Sequence, residues 1–255
     1  MKYPDRIEVG IEHVSEVTST NEHLAQLCNE GKAQEFYTLI TDYQTAGKGQ
    51  RGNIWESEKG KNLLFSIALY PTALEANKQF YLSMLASISI VDALRKYTDG
   101  FTIKWPNDIY WNDQKIGGIL IENELQGKYI TRSIIGIGLN INQETFHSDA
   151  PNPVSLKQII GVELNCHEIF DKILQGIVAS YRLLEIDFEE MSETLSLVYK
   201  EFLYRRREYH YYKDAKGNIF KAKFVYIEPN GRLYLMDEQT KIRKYRFKEV
   251  EYIIP

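Results

Sequence analysis

Hydrophobic and polar positions follow two different rhythms along the chain. Short stretches rich in aromatic and β-branched residues, bounded by turn residues, are typical of strands. They occur at residues 7–14, 36–43, 62–70, 101–105, 109–111, 116–124 and 129–142. Longer stretches, in which apolar residues recur every three or four positions, predict helices with one buried face. These lie at residues 77–97, 167–188 and 191–203.

The C-terminal part of the chain has a different character from the rest. Three consecutive arginines, residues 205–207, are followed by five short β-rich runs: EYHYY, NIFKAKFVYI, RLYLM, KIRKYRF and VEYII. Turn residues at 216–218 and 229–231 separate some of these runs. The pattern predicts a small β-barrel or meander at residues 205–255, attached to a larger domain at residues 1–204.

A predicted strand-to-helix turn carries three polar residues in a row. Ser19 followed by Glu22 fits a capping box, in which the two side chains satisfy the free N–H groups at a helix start. Thr20 and Asn21 lie between them, so several donors and acceptors are concentrated at this turn. Capping needs only one of these side chains, and capping alone explains the turn unless other features point to a ligand.

A glycine-rich, cationic loop follows the predicted strand at residues 36–43. It has the sequence YQTAGKGQRGNIW at residues 43–55, with glycines at 47, 49 and 52 and cations at 48 and 51. Backbone N–H groups in such a loop can form a concave anion site, and the glycines allow close approach. A mobile surface loop fits the same pattern. The spacing matches neither a P-loop nor a dinucleotide-binding fingerprint.

Two further stretches contain turn residues that could also bind a metal ion or a ligand. Asn107 and Asp108 follow a proline, which is ordinary turn chemistry, but their oxygens also suit a magnesium ion beside phosphates. Lys115 stands at the start of a predicted strand, immediately before the IGG stretch at residues 116–118. A lysine at a hairpin is usually solvated, whereas glycines beside it leave room for a ligand. Glycines inside the strand at residues 129–142 also indicate a close approach.

Charge is unevenly distributed over the 255 residues, whose formal net charge is −4. Residues 200–255 contain 14 Lys and Arg against 8 Asp and Glu, a net +6, so the rest of the chain carries −10. A basic C-terminal part on an acidic body suggests an acidic partner or nucleic acid. A small solvated β-domain with ordinary lysines accounts for the same numbers.

Composition argues against several classes of protein. No apolar run is long enough to span a bilayer, and the N-terminus lacks the apolar core of a secretory signal. Cys28 and Cys166 are far apart and show no metal-ligand spacing, and the five histidines do not cluster, so a zinc site is not expected. Reduced cysteines fit a cytoplasmic protein best.

Five of these stretches, taken together, resemble the biotin–protein ligases. They are STN at 19–21, YQTAGKGQRGNIW at 43–55, KWPND at 104–108, KIGGILIE at 115–122 and GIGLNIN at 136–142. Their order and spacing match the family's catalytic core over about residues 5 to 250. The resemblance implies an α+β fold: a central mixed or antiparallel sheet flanked by helices, like the class II synthetases, with a small C-terminal SH3-like β-barrel. Only 18 residues precede Ser19, so we expect the monofunctional type without an N-terminal DNA-binding domain and no specific DNA binding.

The resemblance also implies a two-step reaction. The biotin carboxylate attacks the α-phosphorus of ATP, giving biotinyl-AMP and diphosphate. A lysine of a biotin carboxyl carrier domain then takes the biotinyl group and releases AMP. Mg²⁺ is expected with the ATP, no membrane partner is expected, and both a monomer and a homodimer are open.

Roles are carried over to the matching positions. The catalytic candidates are Lys115, Arg51 and Lys48. The biotin-side candidates are Ser19, Thr20, Asn21, Gln44, Gly47, Lys48, Gly49, Gln50, Lys115, Gly117, Gly118, Gly136 and Gly138. The ATP-side candidates are Arg51, Gly52, Trp55, Asn107, Lys115 and Asn140, and Asp108 is the candidate magnesium ligand.

Alternatives remain open for the role of one loop residue and for the activity itself. Gln50 stands where the family loop usually has arginine, so Arg51 or Gln50 takes the role of that guanidinium. A lipoate or octanoate ligase shares the fold and the adenylation chemistry, although its Arg-Arg and Ser-Gly-Gly-Gly signature is absent. A non-catalytic module that binds a nucleotide or nucleic acid is the alternative from another class.

Overall fold

The computed structural model of the chain describes residues 9–147 and 152–254, and at Arg51 it describes only the backbone. Its helices are α1 (Thr20–Asn29), α2 (Phe80–Leu94), α3 (Leu156–Ile160), α4 (Cys166–Ile186) and α5 (Phe188–Phe202). Its strands are β1 (Ile11–Val14), β2 (Thr38–Thr41), β3 (Leu63–Leu69), β4 (Phe101–Lys104), β5 (Asp108–Trp111), β6 (Gln114–Gln126), β7 (Tyr129–Leu139), β8 (His210–Asp214), β9 (Ile219–Ile227), β10 (Leu233–Asp237), β11 (Ile242–Tyr245) and β12 (Val250–Tyr252).

The chain folds into two compact units that do not follow the order of the sequence. The first contains residues up to Ala73 together with Ile116–Phe170. The second contains Leu74–Lys115 and the chain from Asp171 onward. Each unit is therefore assembled from two separate stretches. The division at residue 205 into a catalytic domain and a small β-domain stays a prediction.

The first unit is built on a mixed sheet. Its strands pair in the order β1-β2-β3-β7-β6. The β1–β2 pair is parallel and the other neighbours are antiparallel. Every residue of the central strand β3 is buried, which explains why its sequence is apolar except at Ser66. Helix α1 covers this sheet and buries Leu24 against Leu39, Ala68 and Ile134.

The start of α1 differs from its prediction in one respect. Ser19 occupies the N-cap position in extended conformation, with φ −153° and ψ 134°, but its side chain makes no capping hydrogen bond. The capping box with Glu22 is therefore wrong. Gln44 takes over the capping, since its Oε1 accepts the N–H of Thr20 at 2.8 Å. A distant amide has replaced the local serine because tertiary structure brings it to the helix end.

In the second unit, helices α2 and α5 pack on each other and on the β4–β5 pair. All of α2 except Asp92 is buried, so this helix has no solvated face, and the prediction of a single buried face is wrong for it. The C-terminal strands form an antiparallel sheet in the order β11-β10-β9-β8-β12. The indole N–H of Trp105 donates to the Gly231 carbonyl at 3.0 Å and ties the KWPND turn to this sheet.

Periodicity therefore predicted most elements to within a few residues. The first strand was predicted at 7–14, of which residues 7 and 8 lie outside the described part, and β1 covers Ile11–Val14. All five C-terminal runs form strands. The predicted fold class, a mixed sheet flanked by helices together with a C-terminal antiparallel sheet, is confirmed.

Candidate active site

A compact cluster of polar side chains surrounds the first turn of α1. Gln44 Oε1 accepts both the N–H and the hydroxyl of Thr20, at 2.8 and 3.1 Å. The Ser66 hydroxyl, on β3, lies 2.7 Å from Thr20 Oγ1 and 2.6 Å from Asn21 Oδ1. Ser19, Thr20, Asn21 and Ser66 are all buried. Buried polar groups of this kind are held rigidly when they satisfy one another, so the STN turn is a fixed polar wall.

Asn21 is the most constrained member of this cluster. Its Nδ2 donates to Glu122 Oε2 at 2.7 Å and to the Leu120 carbonyl at 3.3 Å, both on β6. A Cβ placed on Gly136 would lie only 2.2 Å from Asn21 Oδ1. Gly136 is thus required because the asparagine side chain lies across the face of β7. The amide orientation is fixed by its neighbours on three strands.

The next glycine on the same face of β7 leaves room for a tryptophan ring. A Cβ on Gly138 would lie 2.5 Å from the indole ring of Trp55. Gly138 is paired in register with Gly118 on β6. At Gly117 a Cβ would collide with the Leu139 side chain, at 2.2 Å. Gly117, Gly136 and Gly138 therefore make room for side chains of the protein. Direct contact between a ligand and any of the four predicted strand glycines stays a prediction.

The glycine-rich loop is folded back on itself. The Gly49 N–H donates to the Asn53 carbonyl at 2.7 Å, and the Trp55 N–H donates to the Gly47 carbonyl at 2.9 Å. These N–H groups are therefore used inside the loop, which differs from an open anion nest. Gln50 begins a short 3-10 turn that ends at Gly52. The Arg51 side chain lies outside the described structure.

Lys48 points from this loop to the helix. Its ammonium forms an ion pair with Glu22 in the first turn of α1, and this bond raises the pKa of the lysine. Both side chains are about half exposed. An exposed pair of this kind is weak, so an anionic ligand can displace the carboxylate from Lys48.

A second cluster, formed by residues of the other unit, consists of charges. Asp108 Oδ1 lies 2.7 Å from Lys115 Nζ, and Asp108 Oδ2 lies 3.7 Å from Lys104 Nζ. The three side chains are only 18–23% exposed. We call these three residues the Lys–Asp–Lys cluster. One carboxylate cannot neutralise two ammonium groups, so the cluster carries a net positive charge.

Aromatic rings enclose the Lys104 end of this cluster. Its Nζ lies 5.1 Å from the ring centroid of Tyr110 and 5.4 Å from that of Tyr252. Burial lowers the pKa of Lys104, and Lys115 contributes in the same direction, while Asp108 opposes both. The ring faces favour a cation at this position. Lys104 is therefore held in one place between a carboxylate and two rings.

Asp108 faces two ammonium groups in this structure, and its magnesium role stays a prediction. Both carboxylate oxygens already face ammonium groups, and a cation would have to displace them. Within residues 9–147 and 152–254 no group of three or more His, Cys, Asp or Glu side chains could hold a metal ion.

The two asparagines after β7 hold the neighbouring chain in place. Asn140 donates from Nδ2 to the Val154 carbonyl at 3.2 Å. Asn142 both donates to the Leu164 carbonyl and accepts the Leu164 N–H, at 2.8 and 2.9 Å. Asn107 is half-buried in the turn between β4 and β5. A nucleotide contact by Asn140 or Asn107 stays a prediction.

Sequence reasoning missed three members of the site. Ser66 is a lone hydroxyl in an otherwise apolar buried strand, and that contrast was the available signal. Glu122 is the first charge after the apolar run of β6. Lys104 is the first residue of the KWPND stretch, and nothing in that stretch alone indicates its role. Each of the three contacts a site residue that is distant in sequence or on the other side of a turn: Ser66 and Glu122 contact Asn21, and Lys104 contacts Asp108.

Comparison with known proteins agrees with this geometry. Residues 14–140 match the biotin/lipoate A/B protein ligase family. The bifunctional ligase/repressor BirA of Bacillus spizizenii is 32% identical over 172 residues, which are 65% of this chain and 52% of that protein. The human biotin–protein ligase is 35% identical over 221 residues, 80% of this chain and 29% of that protein. The chain thus spans about half the length, or less, of these curated relatives.

A solved structure matches over nearly its whole length. The biotin protein ligase from Aquifex aeolicus, in complex with biotin and ATP, superimposes with a TM-score of 0.76 at 25% identity. The match covers 96% of this chain and 99% of that chain. With five motifs in order and the matching fold, the chain belongs to the biotin/lipoate A/B protein ligase family.

Proposed function

We propose that this protein is an ATP-dependent biotin–protein ligase. It activates biotin to biotinyl-AMP and transfers the biotinyl group to a lysine of a biotin carboxyl carrier domain. The observation that carries the proposal is the match to the Aquifex aeolicus ligase that binds biotin and ATP, over almost all of both chains. The named relatives, which include the human biotin–protein ligase, support the same activity.

The polar cluster at α1 suits the neutral ureido ring of biotin. Thr20, Asn21 and Gln44 provide hydroxyl and amide groups, and their mutual hydrogen bonds fix them before a ligand arrives. Sites for such ligands combine apolar walls with a few fixed polar groups, and we assign the polar groups to these side chains. A neutral ligand needs directed hydrogen bonds here and gains little from charge.

The Lys–Asp–Lys cluster suits the anionic part of the reaction. In the first step the biotin carboxylate forms a bond to the α-phosphorus while the bond to diphosphate breaks. Two anions approach each other, and negative charge develops on the phosphate oxygens. Lys115 is the cation that we assign to this step, with its ammonium directed to the reacting carboxylate and phosphate oxygens. Because the charge develops in the transition state, the contact acts on rate as well as on binding.

The second step consumes the mixed anhydride. The carrier lysine amine attacks the acyl carbon, AMP leaves, and the amine loses a proton to solvent or to the departing phosphate. Until then the anhydride must be kept from water. The loop at residues 47–55, with Trp55 against Gly138, is the element that we assign to this closure.

The partner and the location are proposed on similar grounds. The basic C-terminal part, net +6 over residues 200–255, complements an acidic carrier domain. Cys28 and Cys166 are free thiols, which suits a cytoplasmic enzyme. Over the described residues, no helix has the length and hydropathy needed to cross a membrane. Magnesium would accompany ATP through the phosphates.

Biotin-dependent exchange between ATP and diphosphate tests this proposal directly. We expect exchange with biotin and none with lipoate or octanoate, followed by labelling of a carrier domain at one lysine. Exchange with lipoate or octanoate alone would assign the protein to the other branch of the family. Absence of exchange with any of the three acids would contradict the enzyme proposal and favour a binding module.

A further inference from the structure

The Lys–Asp–Lys cluster contains two lysines, but the proposed reaction uses only one of them. Lys115 lies 2.7 Å from one oxygen of Asp108, and Lys104 lies 3.7 Å from the other. Only Lys115 has a role in the chemistry described above. A lysine that is 18% exposed and enclosed by two tyrosine rings is costly to keep, because its charge is largely removed from water.

The contact between Lys115 and Asp108 creates a difficulty for catalysis. A close ion pair is neutral as a whole, so an approaching anion gains little from a lysine that is already paired. When Lys115 turns to the substrate, the carboxylate that it leaves must not remain without a partner. Removing one member of a mostly buried pair is strongly destabilising, because an uncompensated charge stays behind.

Lys104 removes this difficulty by its position. It faces the second oxygen of the same carboxylate, so Asp108 keeps a cation beside it whichever way Lys115 points. The rings of Tyr110 and Tyr252 hold the Lys104 ammonium where it is. The longer Lys104 distance, 3.7 Å, also leaves room for Asp108 to move closer once Lys115 departs.

We propose that Lys104 is a positioning residue that holds Asp108 when Lys115 transfers its ammonium from that carboxylate to the phosphate and carboxylate of the substrates. Lys104 itself contacts neither substrate. The inference deepens the proposed ligase function and rests on it. It gives the lysine of the KWPND motif a task distinct from that of Lys115.

The test is a double-mutant cycle on the full-length protein. The variants are Lys104→Met, Lys104→Gln, Lys104→Arg, Asp108→Asn and the combination of Lys104→Met with Asp108→Asn. Lys96→Met, which removes an exposed lysine in the same unit, is the matched control. The readouts are kcat and the KM for ATP in biotin-dependent diphosphate exchange, and the thermal midpoint of each variant.

We expect Lys104→Met and Lys104→Gln to raise the KM for ATP about tenfold, because Asp108 then binds Lys115 more strongly. Lys104→Arg keeps the charge and should restore the KM to within about threefold of the original. Adding Lys104→Met to Asp108→Asn should change the KM by less than about twofold, since the carboxylate that Lys104 holds is gone. The thermal midpoint should stay the same or rise, as a buried charge has been removed.

Two results would overturn the inference. An unchanged KM in both neutral variants would show that Lys115 is released without Lys104. An equal loss from Lys104→Met with and without the Asp108→Asn substitution would show that Lys104 acts on the ligand directly. Failure of the proposed function is separate: it appears as absence of biotin-dependent exchange in the unmodified protein, before any variant is compared. Two neutral replacements ensure that misfolding of one does not end the test.

Discussion

The two polar clusters of this protein hold their members by different physical means. Around α1, Thr20, Asn21, Ser66 and Gln44 satisfy each other with neutral hydrogen bonds between 2.6 and 3.1 Å. In the Lys–Asp–Lys cluster, one carboxylate is shared by two cations at 2.7 and 3.7 Å. Hydrogen bonds fix direction, whereas charges act over a longer range and allow exchange of partners. The first cluster is thus built to stay in place and the second to change contacts.

This difference matches the two kinds of group that the proposed reaction must bind, the neutral ring of biotin and the reacting anions. A neutral ring is recognised by fixed donors and acceptors, and a reacting anion is stabilised by a cation that can follow the developing charge. Mutations in the first cluster should therefore alter the binding of biotin, whereas mutations in the second should alter the binding of ATP and the rate of adenylation.

The largest expected effect comes from Lys115→Ala. Loss of one preorganised donor to a developing charge typically costs about 2.7–4 kcal/mol, or roughly a hundredfold to a thousandfold in rate. We expect that loss in biotin-dependent diphosphate exchange, with normal folding by circular dichroism. Lys115→Arg should recover only part, because a planar guanidinium cannot place a point charge in the same geometry. Near-normal exchange by the alanine variant would remove Lys115 from the centre of the mechanism.

A matched pair of variants on β7 distinguishes binding of biotin from retention of biotinyl-AMP. Gly136→Ala forces Asn21 aside, and the loss of its hydrogen bonds should raise the KM for biotin about tenfold. Gly138→Ala, two residues further on, displaces Trp55 and should instead increase leakage of biotinyl-AMP into solution. Product analysis and biotin titration distinguish the two. Identical defects in both variants would show that the two glycines serve one common packing role.

A smaller effect is expected from salt. If the basic C-terminal part attracts an acidic carrier domain, kcat/KM for transfer should fall by about fivefold between low and high ionic strength. Diphosphate exchange without the carrier provides the control and should change less. A transfer rate that is independent of salt would rule out steering by this part of the chain.

The smallest effect is expected at the Lys48–Glu22 pair. Because both side chains are about half exposed, Glu22→Gln should change the KM for biotin by less than about fivefold. The change should be a decrease, since Lys48 no longer has to leave a carboxylate. A large loss of activity would mean that Glu22 has a task beyond holding Lys48.

Prediction from sequence was most successful where the signal is local. The five C-terminal strands and the long helices follow directly from the spacing of apolar residues, and the family motifs identified the residues around the STN turn. Prediction failed where a local rule competed with a distant partner. Ser19 and Glu22 fit a capping box, but Gln44 reaches the Thr20 N–H instead and Glu22 pairs with Lys48. A capping box does occur at Ser155 of α3, where no distant group replaces it.

The sequence by itself determined most of the helices and strands, the order of the motifs and the family they imply, because periodicity and turn chemistry act between neighbours along the chain. Only the tertiary structure decided which side chains meet. Ser66 and Glu122 reach Asn21 across 45 and 101 residues of sequence. They do so because Ser66, Gly136 and Leu120 lie in register across three adjacent strands. Cross-strand register depends on how the whole sheet packs, and no local pattern contains it.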